Sequence, residues 1–354
     1  MAEMAFDANE MISGEDAAVS DRSEASTRAT ARSGRELIQA SKPFQKEVRS
    51  RSWFHFFESF GVSFALAGVL FTVSDWRIQL PVALLQGLVI VRLFILYHDF
   101  LHNSFLRGSK AAKAVMSLYG LLVLTPPKTW RQTHNYHHAH TAKIVGSHVG
   151  SYAMVTTEMW GKLSAKERFM YRLIRHPLTI LFGYFTLFLY GMCLSSFIRN
   201  PKKNWDSMLA IVLNVALSVG IAWGFGFQTY FFAFFLPLFV ACASGAYLFY
   251  AQHNFPEMDV QPRHEWEYTH AALHSSSYMK TGPIMRWLTG NIGYHHVHHL
   301  NPGIPFYRLP EAMAGIPELQ NPHTTTLRPS DVVACFRQKL WDAEQGKMVG
   351  YPKS

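Results

Sequence analysis

Long apolar blocks, separated by basic and polar segments, dominate the chain. They occupy approximately residues 56–74, 78–97, 178–198, 207–226 and 228–250. Several of these blocks approach the ~20 residues that a helix needs to cross the apolar part of a bilayer. The pattern therefore predicts an all-α integral membrane protein.

The basic residues around the first two blocks indicate which ends face the cytoplasm, because cytoplasmic loops collect Lys and Arg. Lys46, Arg49 and Arg51 precede the first block. Five basic residues follow the second block: Arg107, Lys110, Lys113, Lys128 and Arg131. Only the short stretch "SDWRIQ" joins the two blocks. We predict a helical hairpin with both ends, and the N-terminus of the chain, on the cytoplasmic side.

The third block has basic residues before it and after it, so both of its ends are expected at the cytoplasmic face. It is therefore predicted as an interfacial or re-entrant segment. The fourth and fifth blocks meet at the uncharged "WGFGFQ", which is expected on the opposite face of the membrane. The pattern therefore predicts four transmembrane helices in two hairpins. The segment from Asn301 onward is soluble in character and is expected to form a cytoplasmic helical cap.

Composition separates the first 45 residues from the rest of the chain. Residues 1–45 are rich in Ala, Ser, Glu, Asp and Arg. This predicts a disordered polar tail, and the lack of an apolar run argues against a secretory signal. Residues 46–354 are predicted to form a single membrane-bound domain.

The charge distribution narrows the choice of partners. The chain carries a net charge of +9, although its first 50 residues hold 9 acidic and 7 basic side chains. The basic remainder suits an anionic membrane surface or an acidic protein partner. Its basic residues flank apolar blocks, so no nucleic-acid partner is expected. Only three cysteines occur, and their positions indicate neither disulfides nor a thiolate metal site.

Ten of the 18 histidines lie in four short stretches. "HDFLH" spaces two of them at i and i+4. "HNYHH" and "HHVHH" each space three at i, i+3 and i+4, and "AQHNF" adds one at the end of the last apolar block. The candidate metal ligands are His98, His102, His134, His137, His138, His253, His295, His298 and His299.

The spacing of these histidines indicates a metal site. Residues at i, i+3 and i+4 share one face of a helix, and neutral imidazole binds Fe, Zn, Cu and Ni. A structural zinc takes about four ligands, so eight or nine histidines suit two metal ions of higher coordination. The metal centre is predicted on the cytoplasmic side, with no separate catalytic side chain.

Further residues near the clusters are candidates for supporting the ligands. They are Asp99, His140, His270, His274 and His296, and His148 also lies nearby. Asp99 could orient an imidazole by accepting its second N–H, or it could face water. His296 points away from the face shared by the other histidines of its cluster. For the other four histidines the alternative is a position on the surface: His140, His148, His270 and His274.

The phrases around the histidines resemble the membrane-bound fatty acid desaturases, especially their acyl-lipid Δ12/ω-6 branch. The matching phrases are "HDFLHNSF", "THNYHHAHT", "QHNFPE" and "GNIGYHHVHHLNPGIPFYRLPE". Three boxes of the form HxxxH, HxxHH and HxxHH, in this order, are highly specific for the superfamily. The resemblance covers approximately residues 50–320.

The resemblance implies an enzyme that introduces a cis double bond into a fatty acyl chain. It implies a centre of two iron ions, O2 as the oxidant, and an external electron donor such as ferredoxin or cytochrome b5 with its reductase. It gives the nine candidate histidines the role of iron ligands. The acyl group could be carried by a membrane lipid, by CoA or by an acyl-carrier protein.

The chemistry leaves two alternatives. A related di-iron hydroxylase or ketolase, acting on alkanes, carotenoids or sphingolipids, would share the first hydrogen abstraction. A histidine-cluster metal transporter should carry its ligands at the bilayer midplane, whereas these clusters fall at the ends of the predicted spans.

Two further expectations concern the surfaces around the site. An apolar tunnel should lead from the spans toward the metal ions, and the segment "YFFAFFLPLF" is a candidate for its wall, although the same segment could face lipid. An acidic electron carrier is expected to dock on basic cytoplasmic loops that contain Lys128, Arg131 and Lys143.

Overall fold

Long helices dominate the computed structural model, which describes residues 32–144, 149 and 151–352. Four helical segments are long and apolar enough to cross a membrane: Arg49–Thr72, Trp76–Leu101, Trp205–Phe225 and Phe227–Gln252. The prediction of an all-α fold with four such helices is therefore confirmed.

The helices are numbered in chain order. The first seven are α1 (Gly34–Ser41), α2 (Arg49–Thr72), α3 (Trp76–Leu101), α4 (Lys110–Leu122), α5 (Pro127–Ala139), α6 (Thr157–Lys162) and α7 (Ala165–Ile174). The others are α8 (Pro177–Leu181), α9 (Ser196–Arg199), α10 (Trp205–Phe225), α11 (Phe227–Tyr230), α12 (Leu236–Gln252), α13 (Tyr268–His274), α14 (Pro283–Leu288), α15 (His295–Leu300), α16 (Leu309–Gly315) and α17 (Pro329–Arg337). Two π-helices are Tyr184–Ser195 and Phe231–Phe235, and three 3-10 helices are Lys42–Gln45, Phe306–Arg308 and Pro317–Leu319.

Two small sheets hold the C-terminal part of the chain together. β1 (Tyr278–Met279) pairs in parallel with β2 (Thr324–Thr325). β3 (Leu340–Asp342) pairs antiparallel with β4 (Lys347–Val349). Strands β2 to β4 and helices α16 and α17 belong to the segment from Asn301 onward that the sequence predicted as a cap, whereas β1 and α15 precede it.

A glycine brings two of the long helices into close contact. A Cβ atom on Gly87 of α3 would lie 2.6 Å from the Cβ atom of Val240 and 2.9 Å from the carbonyl oxygen of Pro237. Both neighbours belong to α12. Small residues permit such close backbone approach between membrane helices, so Gly87 fixes where α3 and the last span pack.

A buried charge links three helices on the other side of α3. The guanidinium of Arg92 donates to Ser59 Oγ at 2.8 Å and to Glu58 Oε2 at 3.0 Å, both on α2. The indole N–H of Trp287 on α14 donates to Glu58 Oε1 at 3.0 Å. Charged residues within spans are costly unless they are paired, and here the pairing fixes α2, α3 and α14 together.

The third apolar block is not among the four candidate spans. It comprises α8, the π-helix Tyr184–Ser195 and α9, which follow one another along the chain. The Tyr184 hydroxyl donates to Asn214 Oδ1 of α10 at 2.8 Å. The thiol of Cys193 donates to the Leu124 carbonyl at 3.4 Å. The block therefore packs among the spans without being one of the four.

The prediction of a disordered tail is wrong for residues 34–45, which form α1 and a 3-10 helix. Leu37 of α1 is fully buried against the body of the protein. Arg32 pairs with Glu318 at 2.8 Å, and this hydrogen bond lowers the pKa of the Glu318 carboxyl to about 2. The polar composition of this segment did not reveal that it forms a short amphipathic helix. Residues 1–31 lie outside the described part of the chain.

Arg175, the residue after α7, anchors the C-terminal segment. It is fully buried, and its guanidinium donates to Ala153 O at 2.9 Å and to Asn254 Oδ1 at 2.5 Å. The Asn254 amide in turn donates to the carbonyl oxygens of Cys335 and Gln338. The end of the last span is thereby joined to the C-terminal cap.

Candidate metal centre

Four helix termini place the nine predicted ligands in one region. His98 lies in the last turn of α3, and His102 directly follows that helix. α5 carries three of the histidines, and α15 carries three more in its six residues. His253 directly follows α12. Because these ends meet, histidines up to about two hundred positions apart in the sequence become neighbours.

The histidines form two groups. In the first group, the ligand nitrogens of five residues all lie within 4.8 Å of one another: His98, His102, His134, His138 and His298. Within this group, His134 Nε2 lies 2.9 Å from His98 Nε2 and 3.0 Å from His138 Nε2. All but His102 are buried, and His102 is half-buried.

The second group contains His137, His253 and His299. His295 completes it, because its Nε2 lies 2.9 Å from His253 Nε2 and 3.1 Å from His299 Nε2. His137 Nε2 lies 3.1 Å from His253 Nε2. The structure therefore brings all nine predicted ligands together, five in one group and four in the other.

Outer hydrogen bonds fix which nitrogen carries the proton in three of the rings. His98 Nδ1 lies 3.0 Å from Asp99 Oδ1, and His253 Nδ1 lies 3.0 Å from the Ser275 carbonyl oxygen. A backbone carbonyl only accepts hydrogen bonds, so His253 Nδ1 must donate, and an ionised Asp99 carboxylate requires the same of His98 Nδ1. The Nε2 atoms of His98 and His253 then carry lone pairs that face other imidazoles.

The same argument applies to His299 in the second group. Its Nδ1 lies 3.2 Å from Thr141 Oγ1, and that hydroxyl already donates to the His137 carbonyl at 2.9 Å. His299 therefore donates from Nδ1, and its Nε2 lone pair points toward the group that contains His253. These lone pairs converge on the ring nitrogens of other imidazoles at about 3 Å, an arrangement that a cation between them would satisfy. Both groups therefore fit metal ions held by imidazole nitrogen.

Burial keeps these imidazoles neutral. Desolvation lowers the pKa of His253 to about 4, and it lowers the pKa of His134, His138, His295 and His298 well below the usual value. A ligand must be unprotonated to bind a metal. The site is therefore ready to bind cations at neutral pH.

Of the predicted supporting residues, Asp99 contacts a candidate ligand directly. It is almost fully buried, its Oδ1 accepts from His98, and its Oδ2 accepts from the Phe306 backbone N–H at 2.6 Å. The carboxylate thus fixes the orientation of His98 and ties it to the C-terminal cap.

The other predicted supporting residues lie further out. His296 is buried, and its Nε2 lies 3.1 Å from the Leu319 carbonyl. The His140 ring stacks on Tyr136 at 3.8 Å. His270 pairs with Asp259 and packs on His274. These four histidines belong to neither group of nitrogens, and His148 lies outside the described residues.

Three residues that contact the ligands were not predicted from the sequence. Thr141 and the Ser275 carbonyl orient His299 and His253, as described above. Trp130 stacks on His134 with ring centres 4.1 Å apart. Trp130 lies four positions before His134 on α5, so helical spacing could have revealed this contact. The other two contacts join segments that are distant in sequence.

Replacing Asp99 by asparagine is expected to weaken metal retention about 10–100-fold, as loss of an outer hydrogen-bond partner does in other metal sites. The asparagine amide nitrogen would face an N–H donor at His98 or at Phe306, so one hydrogen bond is lost. Metal content after graded dialysis against a chelator measures the effect. Asp259→Asn is the control, since the Asp259 side chain is half-exposed and pairs with His270, which belongs to neither group of histidines. Equal retention in both variants would contradict a role for Asp99.

A cavity of about 440 Å³ adjoins both groups. Its wall includes His98 and His134 of the first group and His295 of the second. Most of the remaining wall is apolar and comes from α3, α12 and the π-helix Tyr184–Ser195. Of the Phe-rich segment predicted as tunnel wall, only Leu238 lines this cavity. The arrangement suits an extended apolar molecule held beside metal ions.

Comparison with known proteins gives consistent matches. A family profile described as fatty acid desaturase matches residues 74–330. The chain is 32% identical over 298 residues to a fatty acid desaturase of Bacillus subtilis, covering 84% of this chain and 83% of that protein. It is 25% identical over 262 residues to the sn-1 oleoyl-lipid 12-desaturase of a Picosynechococcus species, covering 70% and 71%. It is 24% identical over 282 residues to the sn-1 acyl-lipid omega-3 desaturase (ferredoxin) of a Nostoc species, covering 77% and 76%.

Proposed function

The chain belongs to the membrane fatty acid desaturase family of oxidoreductases, and we propose that it introduces a cis double bond into the acyl chain of a membrane lipid. In this reaction two hydrogens of the acyl chain, O2, two electrons and two protons give the double bond and two molecules of water. The observation that supports this proposal most directly is the apolar cavity beside two groups of imidazole nitrogens.

Two iron ions are the proposed cofactors, one in each group of histidines. The first would be held by His98, His102, His134, His138 and His298. The second would be held by His137, His253, His295 and His299. When bound, iron supplies O2 activation and hydrogen-atom abstraction from C–H bonds that no side-chain base can ionise near pH 7. Imidazole-only ligation suits this chemistry because thiolate ligands would themselves be oxidised.

The protein residues contribute binding, orientation and exclusion of water. The cavity wall beside His98 is formed by apolar side chains such as Phe94, Ile95 and Ile292. Buried apolar surface favours an acyl chain over water by about 25 cal/mol per Å². An acyl chain can enter from the membrane without crossing water, so the apolar wall both attracts the substrate and keeps the metal groups dry.

Expression in a host that lacks the activity tests the proposal. Gas chromatography with mass spectrometry of the total fatty acids should show a new unsaturated species. An added oxygen in place of a double bond would instead identify a hydroxylase. Unchanged fatty acids, from a protein that is present in the membrane and contains iron, would overturn the proposal.

The electrons are proposed to come from a small acidic carrier such as ferredoxin, which docks on a basic patch near α5. Lys128 and Arg131 are exposed, and the Lys143 ammonium lies 3.9 Å from the ring centre of Trp266. Replacing Lys128, Arg131 and Lys143 by glutamate is expected to slow turnover at least about 10-fold at low salt, because steering between opposite charges is lost. The difference from wild type should shrink as salt rises.

The control for this prediction is a variant in which three exposed basic residues away from the patch are replaced by glutamate: Lys166, Arg337 and Lys347. It changes the net charge equally, so only the position of the charges differs. Turnover is measured with reduced ferredoxin over a series of salt concentrations. If both triple variants show the same salt dependence, the patch near α5 is not the docking surface.

A further inference from the structure

We propose that the absence of a side chain at Gly245 on α12 lets the acyl chain extend beyond the metal ions, and so sets the chain length and the double-bond position. This inference rests on the proposed function, because it assumes that the cavity holds an acyl chain. It concerns one position in the cavity wall and a property of the product that the metal ligands do not determine.

Neither backbone geometry nor helix packing requires a glycine at position 245. The residue lies inside α12 and lacks a positive φ, so any L-residue could adopt its backbone conformation. A Cβ atom there would meet only the Phe188 ring, at the ordinary contact distance of 3.9 Å. Gly87, by contrast, would place its Cβ within 2.6 Å of Val240.

A glycine in a helix interior costs about 1 kcal/mol relative to alanine. At position 245 no helix-packing contact offsets this cost. Gly245 does line the cavity, next to Phe188 of the π-helix. The missing side chain therefore leaves space within the cavity itself, and this space is available to an acyl chain.

The position of Gly245 along α12 gives its depth. It precedes Gln252, which lines the cavity beside the ligand His253, by seven residues or about 10 Å of helix. The cavity continues past Gly245 to Cys242 and Leu238, both buried. Half of the apolar thickness of a bilayer is about 15 Å, so this part of the cavity is deep enough for several methylene groups.

The charge at the cavity wall sets the direction of the chain. Among the described lining residues other than the histidines, Arg199 carries the single charge, and its side chain is exposed. Ser196 lies beside it in the wall. A polar head group would remain near these residues, because burying it in the apolar cavity is unfavourable. The methyl end of the chain then occupies the deep part, next to Gly245.

Replacing Gly245 by leucine or phenylalanine should therefore shorten the space available to the methyl end. Activity on long acyl chains is expected to fall at least about 10-fold relative to activity on chains a few carbons shorter. On chains that still react, the double bond should move closer to the methyl end. The measurement is the ratio of products from a mixture of acyl lengths, with the bond located by mass spectrometry of dimethyl disulfide adducts.

Two further variants make the test specific. Gly220→Phe is the matched control on α10, where a Cβ would meet nothing within 4 Å and the residue is exposed. Adding Phe188→Ala to the Gly245→Leu variant should restore activity on long chains. The alanine removes the ring that faces position 245, so the space taken by leucine is regained.

The outcomes separate this inference from the proposed function. If the wild-type protein forms no double bond, the proposed function fails. If the wild type is active but Gly245→Leu loses activity equally on all chain lengths, or keeps its length preference and bond position, the inference fails. The leucine variant decides the matter even if the phenylalanine variant does not fold.

Discussion

Replacing His298 by alanine is expected to abolish desaturation and to remove about half of the bound iron. His298 is fully buried, its Nε2 lies 3.2 Å from His138 Nε2, and its ring centre lies 4.5 Å from that of His98. Alanine removes one nitrogen of the first group and leaves the second group unchanged. The loss of activity should exceed the about 100-fold effect of losing an outer partner, because a metal ligand itself is lost.

Iron per chain, measured by mass spectrometry of the purified protein, and product formation in cells provide the two readings. His140→Ala is the control, since His140 is half-buried, stacks on Tyr136 and bonds to the carbonyl of that residue. It should retain iron and activity. A His298→Ala protein with full iron content and normal activity would show that the first group does not bind the metal as proposed.

The second large effect is expected at Arg175, where methionine should destabilise the protein by about 2–6 kcal/mol, because each of two buried acceptors that lose their donor costs about 1–3 kcal/mol. Methionine fills part of the volume but leaves Ala153 O and Asn254 Oδ1 without their donor. Because Asn254 follows the candidate ligand His253, retention of the proposed iron ions should fall as well.

Thermal unfolding in detergent, followed together with iron release, tests this expectation. Lys166→Met is the control, since Lys166 lies on the exposed side of α7. It removes a positive charge from α7, the helix that Arg175 follows, but should leave the unfolding temperature unchanged. Equal unfolding temperatures for the two variants would mean that Arg175 does not hold the cap in place.

The sequence predicted the long helices and the histidine groups because both depend on local spacing. A span needs about 20 consecutive apolar residues, and i, i+3 and i+4 histidines share a helix face. Neither signal requires knowledge of distant residues. The four spans were therefore predictable, and so was the set of nine histidines that the fold gathers.

Contacts between distant segments could not be predicted in this way. Arg175 meets Asn254 across 79 positions, and Thr141 meets His299 across 158. Apolar composition also does not distinguish a cavity wall from a lipid-facing surface. For this reason the segment "YFFAFFLPLF" was a candidate for the tunnel wall, although Leu238 alone among its residues lines the cavity.

The hydrogen bond from the Phe306 N–H to Asp99 has a consequence for the maturation of the protein. It joins a residue beside His98 to one 207 positions later, and α15 with its three candidate ligands lies just before Phe306. During synthesis the N-terminal spans emerge first, but neither metal group is complete until this late segment has folded back onto them. Loading of the proposed iron ions can therefore be completed only after α15 has been made and has folded onto the earlier helices, and a chain cut short before α15 would lack both complete groups of histidines.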